Sequence, residues 1–143
     1  MIIRTPLPRA VIVHSLADAR AALAVRAPVT LLSGQGAALY AGCLWWRELV
    51  AAAGRDDPGT PFTDVLDCAD GSGQALAALR MNVTRLVLWR EAPGWDQVAA
   101  IAAAHGGFLL DAAPAALDLG QRGAIRRLPA WLSGDDPAVR DPV

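Results

Sequence analysis

Two histidines and two cysteines carry the side chains of this sequence best suited to proton transfer and nucleophilic attack. His14 and Cys68 each stand at the end of an apolar run, at residues 10–14 and 62–68, and Asp67 precedes the thiol. An imidazole next to a thiol or a carboxylate can serve as a general base. We therefore take His14, Asp67 and Cys68 as the catalytic candidates, with His14 meeting either partner in space. The alternative is a histidine satisfied by backbone groups at the edge of the core.

A glycine turn joins a second apolar run, residues 29–33, to a long helical segment at residues 37–53. Free amides at the start of a helix attract anions, because the helix dipole places partial positive charge there. The dinucleotide fingerprint Gly-x-Gly-x-x-Gly matches at two of its glycines, while Leu39 takes the third position. The turn predicts a nucleotide or phosphate ligand, with turn geometry without a ligand as the alternative. Its residues are Ser33, Gly34, Gln35 and Gly36.

The charged and metal-binding residue types exclude several chemistries. All 13 basic residues are arginines, so the chain lacks both a Schiff-base lysine and the lysine of a Walker-type phosphate loop. The histidines and cysteines do not have the short spacing of metal ligands, so neither a metal site nor a cofactor is predicted. A net charge of −1 provides no field that would gather nucleic acid or anionic lipid.

Length and composition predict a single cytoplasmic domain over residues 1–132, followed by a flexible tail at residues 133–143. A chain of 143 residues that is 54% hydrophobic and 19% charged can bury a core without disulfides or metals. No apolar run reaches the roughly 18–20 residues of a membrane span, and prolines interrupt the N-terminal residues where a signal peptide needs a helix. Two unclustered cysteines fit a reducing compartment.

Apolar runs alternate with helical periods along the chain. Strands are predicted at residues 10–14, 29–33, 62–68, 85–89 and 108–111, and helices at 15–25, 37–53, 74–81 and 93–105. Residues 115–119 are predicted as one helical turn, and residues 125–132 as a short strand or a helix. The alternation predicts an α/β domain with a mainly parallel, five-stranded sheet and helices on both faces. Over residues 10–112 this architecture resembles the flavodoxin-like or Rossmann-like three-layer sandwich, which implies a ligand site at the carboxyl ends of the strands.

The helical segment at residues 37–53 is apolar nearly all round. Its helical period turns Leu39, Trp46 and Leu49 towards the sheet. Tyr40 and Leu44 lie outside, with Trp45 at the border. Tyrosine and tryptophan are enriched at the centres of protein interfaces. We therefore predict a homodimer interface at Tyr40, Leu44 and Trp45. In the alternative, the C-terminal segment covers this face through Trp131.

Two functional hypotheses follow. The first is a non-catalytic α/β interaction or regulatory module that self-associates through the helix at residues 37–53. The second is a small-molecule, nucleotide or phosphate site, with or without catalysis, at the carboxyl ends of the strands. No motif identifies a reaction.

Overall fold

The computed structural model describes residues 6–135, which form alternating strands and helices. The end of the predicted tail, residues 136–143, lies outside the described residues. In chain order the elements are β1 (Ala10–Val13), α1 (Leu16–Ala24), β2 (Val29–Ser33), α2 (Ala37–Tyr40), α3 (Cys43–Asp56), β3 (Phe62–Asp67), α4 (Ser72–Arg80), β4 (Arg85–Val87), α5 (Trp95–Ala104), β5 (Phe108–Leu110), β6 (Ala116–Asp118) and α6 (Ala124–Ser133).

The six strands form one parallel sheet in the order β5-β4-β3-β2-β1-β6. The predicted single α/β domain, with a parallel sheet flanked by helices, is confirmed, and the sheet has six strands rather than five. The additional strand is β6, in residues predicted as a helical turn. Pairing of Leu117 with Val11 decides the conformation there, because strand formation depends on neighbours more than on local preference.

Within residues 6–135 the buried apolar side chains form two clusters, and every helix contributes to the larger one. The buried side chains of the helices join the sheet face that carries Val11, Leu31 and Leu66. The opposite face has a smaller cluster, and its members come from strands and the ends of strands: Ala10, Leu32, Val65 and Val87, with Ile12, Trp89, Phe108, Leu110 and Ala116 packed against them. The structure thus differs from the expected placement of helices on both faces. Each strand from β2 to β5 is added on the same side of the one before, and right-handed crossovers then fall on one face.

The sheet is strongly curved, as the short link between β5 and β6 requires. Leu110 and Ala116 are six residues apart, so their Cα atoms are separated by at most about 20 Å. In a flat sheet the two outer strands would lie about 24 Å apart across the strands alone, at about 4.8 Å per strand. The sheet therefore curls around its smaller cluster, with the helices outside. This curvature explains how Leu32 and Val65 are buried without a helix over them.

The predicted helix at residues 37–53 is broken in two. Its first turn, α2, ends at Tyr40, and α3 begins at Cys43 after Gly42, whose φ of +89° lies in the region that glycine adopts readily. Because of this break, Leu39 does not face the sheet as the unbroken helix predicts; it is 48% exposed. Trp46 and Leu49 are buried as predicted.

The helix α6 lies at the β6 edge of the sheet. The indole Nε1 of Trp131 donates a hydrogen bond to the carbonyl oxygen of Ala10 at 2.8 Å, and the guanidinium of Arg9 lies 4.4 Å from the ring centroid. Trp131 is thus placed against the start of β1 and does not reach the outer face of α3. Within residues 6–135, every helix is too short or too polar to cross a membrane.

Candidate functional site at the carboxyl edge

The carboxyl ends of the parallel strands lie along one edge of the sheet, the edge at which α/β proteins bind ligands. Side chains alternate between the two faces of a strand. Every second residue near these ends therefore lies on the concave face, the one that carries the smaller cluster, and we call this end of the concave face the mouth. The residues placed there are His14, Gly34, Asp67, Trp89 and Asp118. The register therefore brings His14 and Asp118 together on neighbouring strands.

His14 is paired with a carboxylate. Its Nε2 lies 2.7 Å from Oδ1 of Asp118, and the amide of Gly120 donates to the same oxygen at 2.8 Å. An ionised carboxylate only accepts hydrogen bonds, so Nε2 carries a proton, and in the neutral ring Nδ1 has a free lone pair. Both side chains reach solvent, with exposed fractions of 41% for His14 and 33% for Asp118. This is an oriented imidazole that can accept a proton at Nδ1.

Two glycines leave room for this imidazole. The register places Gly34 of the β2 end and Gly120 of the β6 end beside His14. A Cβ on Gly34 would lie 3.2 Å from Nδ1 of His14, and a Cβ on Gly120 would lie 3.0 Å from its Nε2. Neither glycine has a positive φ. The close approach of the ring, rather than backbone conformation, is therefore what these glycines accommodate.

The start of α1 fixes the backbone of His14. The Oγ atom of Ser15 accepts the amide hydrogen of Asp18 at 3.1 Å, and Oδ2 of Asp18 accepts the amide hydrogen of His14 at 2.9 Å. The two bonds form a reciprocal cap of the kind that the sequence Ser-Leu-Ala-Asp indicates. They hold the main chain of His14 while its ring remains at the mouth.

A third polar group, the hydroxyl of Tyr40, approaches from α2. It lies 2.9 Å from the position that a Cβ on Gly34 would occupy, and Cε1 and Nδ1 of His14 lie 3.1 and 3.2 Å from that position. Tyr40 is nevertheless 70% exposed, so only the tip of its side chain reaches the site. The mouth thus combines a base, its orienting carboxylate and a phenol.

The predicted ligand turn is braced by the chain itself. The amide of Gly36 donates to Oδ1 of Asp67 at 3.1 Å, and the amide of Asp67 donates to Oγ of Ser33 at 2.9 Å. The hydroxyl of Ser33 donates to the carbonyl oxygen of Gly34 at 3.1 Å. A carboxylate therefore already occupies the Gly36 amide, while the side chain of Gln35 is exposed to solvent.

Asp67 joins two turns at the centre of the edge. Besides Gly36, its Oδ1 accepts the amide hydrogen of Ala69 at 2.8 Å. Burial raises the pKa of the Asp67 carboxyl, and the hydrogen bonds from Ala69 and Gly36 offset part of that rise. Its Oδ1 is thus bonded to two backbone amides, whereas His14 is bonded to Asp118. Asp67 is placed to support the edge.

Cys68 lies on the opposite side of the sheet from His14. It is fully buried in the core beneath the helices. Burial raises the pKa of its thiol to about 12, and the charge of Asp67 adds to the rise. Nucleophilic attack requires the thiolate, so this thiol is unreactive in the folded protein.

The predicted interface residues occupy different environments. Tyr40 and Leu44 are exposed, Leu44 by 50%, whereas Trp45 is partly buried and packs against the main core. The ring of Trp45 lies 5.9 Å from that of Trp46. Leu39, Tyr40 and Leu44 are thus exposed large apolar residues on either side of the break at Gly42, and we call these three residues the apolar corner; Trp45 contributes little to it.

Sequence reasoning missed Asp118 and Gly120 as members of the site. Both follow from the assignment of β6, since a strand paired with β1 must bring the residues at its end beside His14. The signal was an aspartate directly after an apolar pair, as at Asp67 and Asp111. The hydroxyl of Tyr40 was also missed, because the break at Gly42 was not predicted.

Comparison with known proteins adds no assignment, since no family model and no curated protein matches the chain. Within residues 6–135, no group of three or more histidine, cysteine, aspartate or glutamate side chains is arranged to hold a metal ion. The polar groups at the edge that could take part in chemistry are therefore the side chains of His14, Asp118 and Tyr40.

Proposed function

We propose that this chain is a small-molecule-binding protein, with acid–base capability, whose site is the mouth of the concave face around His14. The observation that carries the proposal is the imidazole of His14, held between Gly34 and Gly120 and bonded through Nε2 to Asp118. A carboxylate that orients an imidazole is the arrangement of a catalytic base, and here the opposite nitrogen lies beside Gly34 in a side chain that is 41% exposed. A structural histidine would need neither the exposure nor the two flanking glycines.

Ligand binding is tested by thermal unfolding of the purified protein against nucleotides, dinucleotides, flavins, simple phosphates and small hydroxy acids and ketones. A ligand at 100 times its Kd adds about 2.7 kcal/mol of stability, a shift of several degrees for a domain of this size. The phosphate-bearing compounds belong in the panel because the turn that contains Gly34 and Gly36 adjoins His14.

The chain offers a matched control, because it has two histidines. His105 lies at the end of α5, where its Nδ1 is 2.8 Å from the carbonyl oxygen of Ile101. We expect His14→Gln to abolish the shift produced by the active ligand and His105→Gln to retain it. A flat response of the wild type across the panel, or equal shifts in both variants, would reject the proposal.

A second candidate function is supported by the apolar corner formed by Leu39, Tyr40 and Leu44. Large apolar side chains grouped on a surface are typical of protein interfaces. In this hypothesis the chain is a cytoplasmic, non-catalytic interaction or regulatory module that forms a homodimer through the corner. The hydrophobic share of the composition, 54%, agrees with a surface given over to a partner.

Sedimentation of the wild type and two variants separates this candidate from the first. Leu44→Asp should convert a dimer into folded monomers. Ile125→Asp, at an equally exposed residue of α6, should leave the dimer intact. A monomeric wild type, or a dimer that persists in Leu44→Asp, excludes self-association through the corner.

A further inference from the structure

We propose that Tyr40 is the second catalytic residue of the His14 site, and that the site takes a small molecule with an acidic C–H bond beside a carbonyl group. The inference rests on the proposed function and deepens it. It is drawn from the convergence of the Tyr40 hydroxyl and the His14 Nδ1 over the Cα atom of Gly34.

The two polar atoms are free to bind a ligand. Within residues 6–135, neither the hydroxyl of Tyr40 nor Nδ1 of His14 has a hydrogen-bond partner. Both lie within 3.2 Å of one point above Gly34. A ligand seated at the mouth beside Gly34 can therefore present one atom to the phenol and another to the imidazole, which is the geometry of a two-point site.

The way in which α2 carries Tyr40 agrees with this role. The helix is a single turn of four residues between Gly36 and Gly42, whose φ values are +69° and +89°. Its buried residues are Ala37 and Ala38, both small. The ring of Tyr40 is exposed and is not packed into the core. Its hydroxyl is directed to the site although hydrophobic packing does not demand that placement.

The neighbouring groups favour acid–base chemistry over covalent catalysis. The thiol of Cys68 and the hydroxyl of Ser33 are buried, and the Oγ atom of Ser15 is bonded to the first turn of α1. Nucleophilic catalysis needs an accessible nucleophile next to its base. The imidazole of His14 and the phenol of Tyr40 supply a base and a neutral hydrogen-bond donor.

The step that these groups can carry out is enolisation. Nδ1 of His14 takes the proton from the carbon next to the carbonyl, and the electron pair of that C–H bond forms a carbon–carbon double bond. The carbonyl π electrons move to oxygen, which becomes an enolate oxygen and accepts the hydrogen bond of the Tyr40 hydroxyl. Return of the proton from Nδ1 to carbon restores the base. Asp118 stabilises the imidazolium that exists between the two transfers.

Hydroxyacetone in D₂O provides a direct probe, because enolisation exchanges its C–H hydrogens for deuterium and proton NMR follows their loss. Free imidazole at the same concentration gives the baseline. We expect the wild type to exceed this baseline, Tyr40→Phe to lose about 10²–10³-fold of the rate, and His14→Gln to lose about 10²–10⁴-fold. His105→Gln should exchange as the wild type does.

Two further measurements test the geometry of the pair, and the second of them needs no substrate. Gly34→Ala places a methyl group between the phenol and the imidazole and should abolish exchange in a protein whose circular dichroism is unchanged. In ¹⁵N NMR of the wild type, neutral His14 should carry its proton on Nε2. Baseline exchange by the wild type, an undiminished rate in Tyr40→Phe, or a proton on Nδ1 would each overturn the inference. The proposed function would survive such a result if the thermal panel still finds a His14-dependent ligand.

Discussion

Two strand-end carboxylates of this molecule use the same oxygen in different ways. Oδ1 of Asp67 accepts hydrogen bonds from two backbone amides, and the side chain is buried, with 1% of the residue exposed. Oδ1 of Asp118 accepts one from a backbone amide and one from the imidazole of His14, and its side chain remains in contact with water. The first carboxylate joins two turns, whereas the second orients a base. The hydrogen-bond donor, and not the position at the edge, distinguishes a carboxylate that joins two turns from one that orients an imidazole.

The largest expected effect is on stability at Asp67. Asp67→Ala leaves the amides of Gly36 and Ala69 without their acceptor and should lower the free energy of unfolding by about 2–4 kcal/mol. Asp118→Ala should cost about 1 kcal/mol or less, because its partners reach water. Urea unfolding measures both values. Equal losses in the two variants would contradict the distinction between the carboxylates.

The pH dependence of stability sharpens the same contrast. The pKa of Asp67 is raised above its ordinary value of 3.8 in the folded protein, so between the two pKa values the native state binds more protons than the unfolded chain. Its stabilising contribution is therefore complete below pH 3.8 and is lost as the pH rises through the folded pKa. Asp67→Asn cannot titrate and should gain stability relative to the wild type over this window. Urea midpoints of the two proteins that stay parallel with pH would show that the carboxyl is not perturbed.

The two faces of the sheet can be compared through the cysteines. Burial raises the pKa of the Cys68 thiol to about 12, so very little of it is ionised at pH 8. Iodoacetamide at that pH should modify the partly exposed Cys43 and leave Cys68 unmodified until the protein is unfolded. Mass spectrometry of the peptides reports the sites. Rapid modification of Cys68 in the folded protein would place it outside the core.

The smallest effect on stability is expected at Gly34. The nearest atoms to an added Cβ belong to the side chains of Tyr40 and His14, which can shift. Gly34→Ala should therefore change the free energy of unfolding by about 1 kcal/mol or less while it fills the site. At Gly107 an added Cβ would lie 1.9 Å from the carbonyl oxygen of Thr84, so Gly107→Ala is the destabilising comparison. Equal urea midpoints for the two variants would argue against the packing described here.

The alternation of strands and helices was enough to predict the fold class, because parallel sheets in general are built from apolar runs bounded by glycine turns. Strand order is not contained in such a pattern. The sequence was therefore enough to predict His14 as a site residue, but not its partner Asp118, which is 104 residues away. The break at Gly42 was missed for a related reason: apolar residues on both sides of it continue a helical period. Helices on one face follow from strand order alone.

The position of β1 between β2 and β6 has a consequence for how the protein folds. The contacts of β1 with β2 are local in sequence, and they can form while the rest of the chain is still being synthesised. Those with β6 close a loop of about a hundred residues, which carries a large entropic cost and makes their formation slow. The bond between His14 and Asp118 therefore arises only when this last closure is complete. A chain arrested or cut before residue 116 would have an unpaired edge on β1, open to aggregation, and a histidine without its carboxylate.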